Sequence, residues 1–310
     1  MNRTLLTFWL SVLVFVGLGA MCQPSPVNPR PIVDAGPAPS VIADASPAPS
    51  VVSDAGPAPV VDAGPVPTVD AGPAPVVDWL ECGPEGFAAA APVKRKLGAR
   101  LVAHPRAMLA TPFVLAAHTI FWDPLNPIPL DQGNVGRCTG YSVCEELSTK
   151  PFGLKSTAAR GDAIYHEATC SFDSFVGCWP PDDSGSDCES AARAAMKLGL
   201  IIDYDVAYTL QDIKSRLMLG PGVLCSNWST PQYYTDRCGL THYDRKLIEG
   251  GHAYAMVGQN VELGRIAFRN TWGAKYGTRR HGATGYFQQS YDDVQKELDD
   301  GGIAVFVRVP

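Results

Sequence analysis

Apolar and polar positions change rhythm twice along this chain. From Thr4 to Met21 the residues are uncharged and mostly apolar, with one arginine, Arg3, ahead of them. From Gln23 to Asp78 no apolar face can be drawn. The stretch repeats "DAGPAP" or a near copy, with aspartates at Asp34, Asp44, Asp54, Asp62, Asp70 and Asp78. Packing periods begin at about Phe113 and run to Pro310. There "CTGYSVCEELS" sets Tyr141, Cys144 and Leu147 on one helical face, and "ESAARAAMKLGL" predicts a helix ending at Gly199. "LQDIKSRLMLG" predicts a shorter helix stopped by Gly220 and Pro221. Beyond it the period drops to two in "GVLCSNW", "HAYAMVGQNV", "RIAFRNTW", "TGYFQQS" and "IAVFVRV", which predicts strands. Between the last two, Ser290 with Asp293 three residues on starts one more helix. Helices first and strands second predict an α+β protein of two lobes.

The N-terminal pattern implies export. Residues 1–22 have the layout of an export signal, with a lipoprotein signal lipidated at Cys22 and a membrane anchor as variants of it. Each variant places the rest of the chain outside the cytoplasm, secreted or tethered to the cell envelope. In residues 23–78 a proline every two or three residues removes backbone donors and favours extended polyproline II, so the segment is expected to be a disordered, semi-rigid stalk. Residues 79–112 hold an alanine run and the basic patch "VKRKLGAR". They are either a lead-in to the domain 113–310 or a short pro-segment cleaved at those basic residues.

Nine cysteines suit an oxidising compartment. Cys170/Cys178 and Cys225/Cys238 are close enough in sequence to close short loops, whereas Cys82, Cys144 and Cys188 have no obvious mate. Connectivity does not follow from spacing. The net charge of −6, with no basic stripe, gives no reason to expect nucleic acid. The acidic run "PPDDSGSDCE" lacks the alternating oxygen ligands and distal glutamate of a calcium loop, and is expected to be a solvated turn.

Three segments carry chemistry. In "DQGNVGRCTGYS" the glycines Gly133 and Gly136 lead to Cys138 at the start of a helix, where the N-terminal dipole favours thiolate. The Cys138 N–H and the Gln132 side-chain amide are then donors for a developing oxyanion. In "GGHAYAMVG", His252 follows two glycines at the edge of a strand. In "RNTWGAKYG", Asn270 ends the next strand, where it can accept the second ring N–H of His252, with Trp272 shielding that bond from water.

These three segments, in this order, resemble the papain-like cysteine peptidases, and their wording is most similar to the bacterial and phage branch. The resemblance covers roughly Phe121 to Pro310. It implies a helical lobe followed by an antiparallel β-barrel-like lobe, with the active-site cleft between them. It implies Cys138 as nucleophile, His252 as base and acid, Asn270 as orienter and Gln132 as oxyanion donor. Gly136, Gly185, Ser186, Gly251 and Trp272 would line the substrate groove. It implies a protein or peptide substrate, a monomer, and neither cofactor nor metal. Val135, Arg137 and Thr139 depart from the family's pattern, and Arg137 would either crowd the cleft or select acidic side chains. Two other functions share the same residues: a cell-wall peptide amidase or transpeptidase, and a catalytically silent binding module.

Overall fold

A computed structural model describes residues 79, 80, 82, 95–102 and 118–310. The export segment, the repeat region and the remainder of the lead-in lie outside the described residues. The described residues form an α+β structure in which one mixed-length antiparallel sheet is covered on both faces.

A short strand β1 (Ile120–Phe121) precedes the helix α1 (Cys138–Ser148), then α2 (Ala158–Glu167) and α3 (Cys188–Lys197). The strand β2 (Asp203–Ala207) and helix α4 (Leu210–Arg216) come next. The rest is mainly sheet: β3 (Gly222–Ser229), β4 (Ile248–Asn260), β5 (Arg265–Arg269), β6 (Thr278–Arg280), β7 (Ala283–Ser290), helix α5 (Tyr291–Asp299) and β8 (Ile303–Arg308).

Side-chain alternation in the central strands separates two apolar layers. Val223 and Cys225 of β3, Ala253 of β4, and Ile303, Val305 and Val307 of β8 join α1 and α3 in one core. Their neighbours Leu224, Trp228, Tyr254, Met256, Ala304 and Phe306 join Ile213 of α4 and Val294 and Leu298 of α5 in a second, more aromatic core. A sheet buried on both faces holds its strands' positions closely, and His252 sits on one of them.

All eleven residues of α1 are buried, not one face of it. The helix lies between α2, α3 and β4, so even its carboxylates are enclosed. Glu145 pairs with Arg269 at 3.1 Å and accepts the Leu130 N–H at 2.8 Å. Glu146 accepts the Val307 N–H at 2.9 Å. Burial raises both carboxyl pKa values. Gly140 permits this enclosure, because a Cβ there would lie 2.6 Å from the Gly161 carbonyl oxygen of α2.

The expected barrel-like second half is corrected by the strand order β2-β8-β3-β4-β5-β7-β6, in which the first and last strands do not pair, so the sheet is open. Neither edge is suited to closure. β2 carries Asp203 and Asp205, bound across the pair by Arg308 of β8, and β6 is three residues long and bonded only to β7.

Of the two pairs close enough in sequence to close short loops, Cys170/Cys178 is bonded and Cys225/Cys238 is not. Cys225 faces α3 across the first core and is bonded to Cys188, Cys238 is bonded to Cys82 of the lead-in, and Cys170 to Cys178. Cys138 and Cys144 are free and buried.

Candidate active site

The turn before α1 is built by its own side chains. Asp131 accepts the Gly133 N–H at 2.9 Å, and Gly133 takes φ +60°, a conformation glycine adopts without strain. The turn delivers Cys138 as the first residue of α1, behind Arg137, a cap residue with no side-chain capping bond. Arg137 is held by its neighbours. It donates to Asp162 at 2.6 Å and to the Gln132 carbonyl at 3.1 Å, and lies over the rings of Tyr141 and Trp179.

His252 lies in β4, paired in register with Ser226 of β3. Its Nε2 is 2.8 Å from Asn270 Oδ1. The Thr271 N–H also donates to that oxygen, at 2.8 Å, which identifies it as the acceptor. Nε2 therefore carries the proton and Nδ1 a lone pair, and Nδ1 is buried with no hydrogen-bond partner. Trp272 stacks on the imidazole with centroids 4.8 Å apart, and Trp228 meets it edge-on at 4.8 Å. Those rings screen the His252–Asn270 bond from water. Trp228 was not singled out in the sequence, where it is one apolar residue of a strand.

Gln132 couples the cysteine turn to the asparagine turn. Its N–H donates to the Thr271 carbonyl at 2.9 Å. Its Oε1 accepts from Thr271 Oγ1 at 2.7 Å and Trp272 Nε1 at 3.2 Å, which identifies Nε2 as the donor end. Nε2 donates to the carbonyls of Lys96, at 2.8 Å, and Val135, at 3.0 Å.

Lys96 belongs to the lead-in, and that segment crosses the site. Ala99 N–H donates to the Gly251 carbonyl at 2.9 Å, Ser186 N–H to the Gly98 carbonyl at 2.9 Å, and Arg100 N–H to the Ser186 carbonyl at 2.8 Å. Glycines make the approach possible from both sides. A Cβ on Gly98 would lie 1.9 Å from the Gly136 oxygen, one on Gly185 2.2 Å from the Gly98 oxygen, and one on Gly251 2.0 Å from the Ala99 oxygen. Gly136, Gly185, Ser186 and Gly251, expected in the sequence to line a substrate groove, thus all meet the strap of residues 95–102.

The strap leaves Cys138 and His252 fully buried. Burial pushes the Cys138 thiol up to about 11, against the lowering effect of backbone groups of Ala253, Gly98, Thr139 and Ala99. Burial takes His252 down to about 4, and the Asn270 bond opposes it. In this covered form both groups are neutral at pH 7. Among the described residues His166, Cys170 and Cys178 cluster as metal-type ligands, but both cysteines are in a disulfide and offer no thiolate.

No family model and no curated protein matches the chain. Similar solved structures include xylellain, a cysteine protease from Xylella fastidiosa, at 17% identity and TM-score 0.49, covering 70% of this chain and 99% of that one. Procathepsin B S9 from Trypanosoma congolense is 13% identical at TM-score 0.47, covering 69% and 86%. The bromelain protease from Ananas comosus is 12% identical at TM-score 0.42, covering 59% and 93%. With TM-scores under 0.5, these overlaps assign nothing to the chain.

Proposed function

We propose that the chain is a papain-like thiol peptidase held latent by its own strap. The observation that carries this reading is the fixed tautomer of His252. Asn270 Oδ1 accepts the hydrogen bond from Nε2–H, Nδ1 is left as an unpartnered buried base, and the next residue, Ala253, reaches the Cys138 thiol with its backbone. With the strap displaced, the Cys138 proton passes to His252 Nδ1 and the sulfur attacks a peptide carbonyl. Gln132 Nε2–H and the Cys138 N–H hold the oxyanion, and the imidazolium returns the proton to the leaving amine. Water, deprotonated by the same imidazole, then releases the acyl group and the thiol is restored. The motif wording fits a bacterial or phage member. Three disulfides among the described residues support an extracytoplasmic location, secreted or tethered through the N-terminus.

The test is alkylation by an epoxide of the thiol-protease type, mapped to Cys138 in the full chain. Wild type should label slowly. Gly98→Val, whose side chain cannot coexist with the Gly136 carbonyl, should label fast, and the double variant with His252→Ala should lose that speed. Labelling of the opened site that ignores His252 would show the thiol to be unactivated and sink the reading.

A further inference from the structure

Two carboxylates border the covered site, and the strap places a cation on each. Arg95 bonds Asp131 through Nε at 3.1 Å and Nη2 at 2.7 Å. Lys96 Nζ lies 2.5 Å from Asp183 Oδ2 and 3.0 Å from the Asp183 carbonyl oxygen. The two acids differ in how they are held. The Asp131 side chain is 45% exposed, whereas that of Asp183 is 16% exposed. Asp183 also accepts the Gly136 N–H at 3.0 and 2.9 Å and the Tyr165 hydroxyl at 2.6 Å. It is therefore fixed beside Gly136, two residues before the nucleophile. Burial alone would raise its pKa, but Lys96, Tyr165 and the Gly136 N–H outweigh that and hold it below the usual carboxylate range.

Lys96 makes two contacts at once. Its carbonyl oxygen accepts from Gln132 Nε2 at 2.8 Å while its ammonium sits on Asp183. In acyl transfer, the residue whose carbonyl meets the oxyanion donor is the residue that becomes the acyl group. Lys96 measures the span from that donor to Asp183 as one lysine side chain. Arg137, next to Gly136, is bonded to Asp162 and not to Asp183. We propose that Asp183 is a specificity-determining residue, selecting lysine or arginine as the residue whose carbonyl is attacked. The proposal rests on the peptidase reading, and it gives a role to a carboxylate that the sequence presents only as part of a solvated turn.

The test uses the full-length Gly98→Val protein and peptidyl chloromethyl ketones ending in lysine, in norleucine, its uncharged near-isostere, or in glutamate. Each alkylates Cys138 as its thiolate displaces chloride, and the second-order rate is read by intact mass and mapped to Cys138. The lysine probe should react roughly tenfold or more faster than norleucine, the usual scale of a charge-assisted bond, and glutamate slowest. Asp183→Asn keeps an acceptor for Gly136 and Tyr165 and should collapse the lysine-to-norleucine ratio. Equal rates for lysine and norleucine, or a preference that survives Asp183→Asn, overturn the specificity proposal and leave the peptidase reading standing. If Asp183→Asn does not fold, the ratio in the unaltered site still decides. Failure of every probe in a protein whose Cys138 accepts iodoacetamide overturns the peptidase reading instead.

Discussion

At the residue scale the site depends on one hydrogen bond. Asn270 Oδ1 accepts from His252 Nε2 at 2.8 Å, and once the imidazole is protonated that bond becomes charge-assisted. Such bonds are worth about 1.5–3 kcal/mol, so Asn270→Ala in the opened protein should slow Cys138 alkylation roughly tenfold to a hundredfold. The same variant should lower the pKa on the acid limb of its pH profile, since Asn270 raises the His252 pKa. A lower rate with an unmoved profile would make Asn270 a packing residue only. The placement of Cys138, His252, Asn270 and Gln132 as candidates was legible in the sequence because each stands in a short segment whose local turn or strand dictates its position. Asp183 and Trp228 were not. Asp183 gains its meaning from Lys96, 87 residues away, and Trp228 from rings on three other segments.

At the scale of elements, periodicity located α1, α3, α4 and α5 and the strands β3, β4, β5, β7 and β8. It did not locate α2, whose "AARGDAIYHE" interrupts its weak apolar face with Gly161, a glycine kept small by the Tyr141 ring against it. Nor does alternation say which strands pair, so the open order of the sheet was out of reach. The strap was missed for a similar reason: its bonds to Ser186 and Gly251 are backbone bonds, which any sequence can make. Its stability should depend on pH with a sign set by the two buried groups. His252 is lowered from 6.5 to about 4, so the uncovered form takes up protons first. The covered form is fully favoured above about 6.5 and loses ground as pH falls towards 4. The thiol is raised from 9.0 to about 11, so cover is lost again as pH rises through that interval. Amide exchange at Ala99 and Arg100, corrected for its intrinsic pH dependence, should therefore be slowest between about 6.5 and 9. Opening should grow by up to roughly tenfold per unit on the acid side. His252→Gln should flatten the acid limb, and Asp183, with its lowered pKa, should contribute only at still lower pH. Protection that is level from pH 8 to pH 5 in wild type would mean that His252 keeps an ordinary pKa under the strap.

At the scale of the whole molecule, the strap is pinned at both ends to the body that it covers. Ahead of it, Trp79 donates to Gln288 Oε1 at 2.9 Å, Leu80 packs with Ala255, Val257, Ala267 and Tyr286, and Cys82 is bonded to Cys238. At its far end, Leu101 packs on the core between α1 and the sheet. The cysteine spacing hid this arrangement, because the natural local partner of Cys238 is Cys225, and strand alternation turns Cys225 towards α3 and Cys188 instead. The Cys82–Cys238 bond joins positions 156 residues apart, a span that stabilises the fold against unfolding by several kcal/mol, on the order expected for so long a loop. With the body folded, the same bond keeps the start of the lead-in on the body and so limits how far the strap can leave. Serine at both Cys82 and Cys238 should therefore raise the fraction of open sites in an otherwise unaltered chain. Alkylation mapped to Cys138 should speed up about tenfold for each 1.4 kcal/mol of lost restraint. Mild reductant should act in the same direction on wild type and not on the double-serine protein, which separates this bond from Cys170–Cys178 and Cys188–Cys225. If the double-serine protein unfolds more easily but labels at the wild-type rate, the strap is held by its own contacts, to Asp131, Gln132, Asp183, Ser186 and Gly251 among them. The disulfide would then serve the global fold and not the latency of the site.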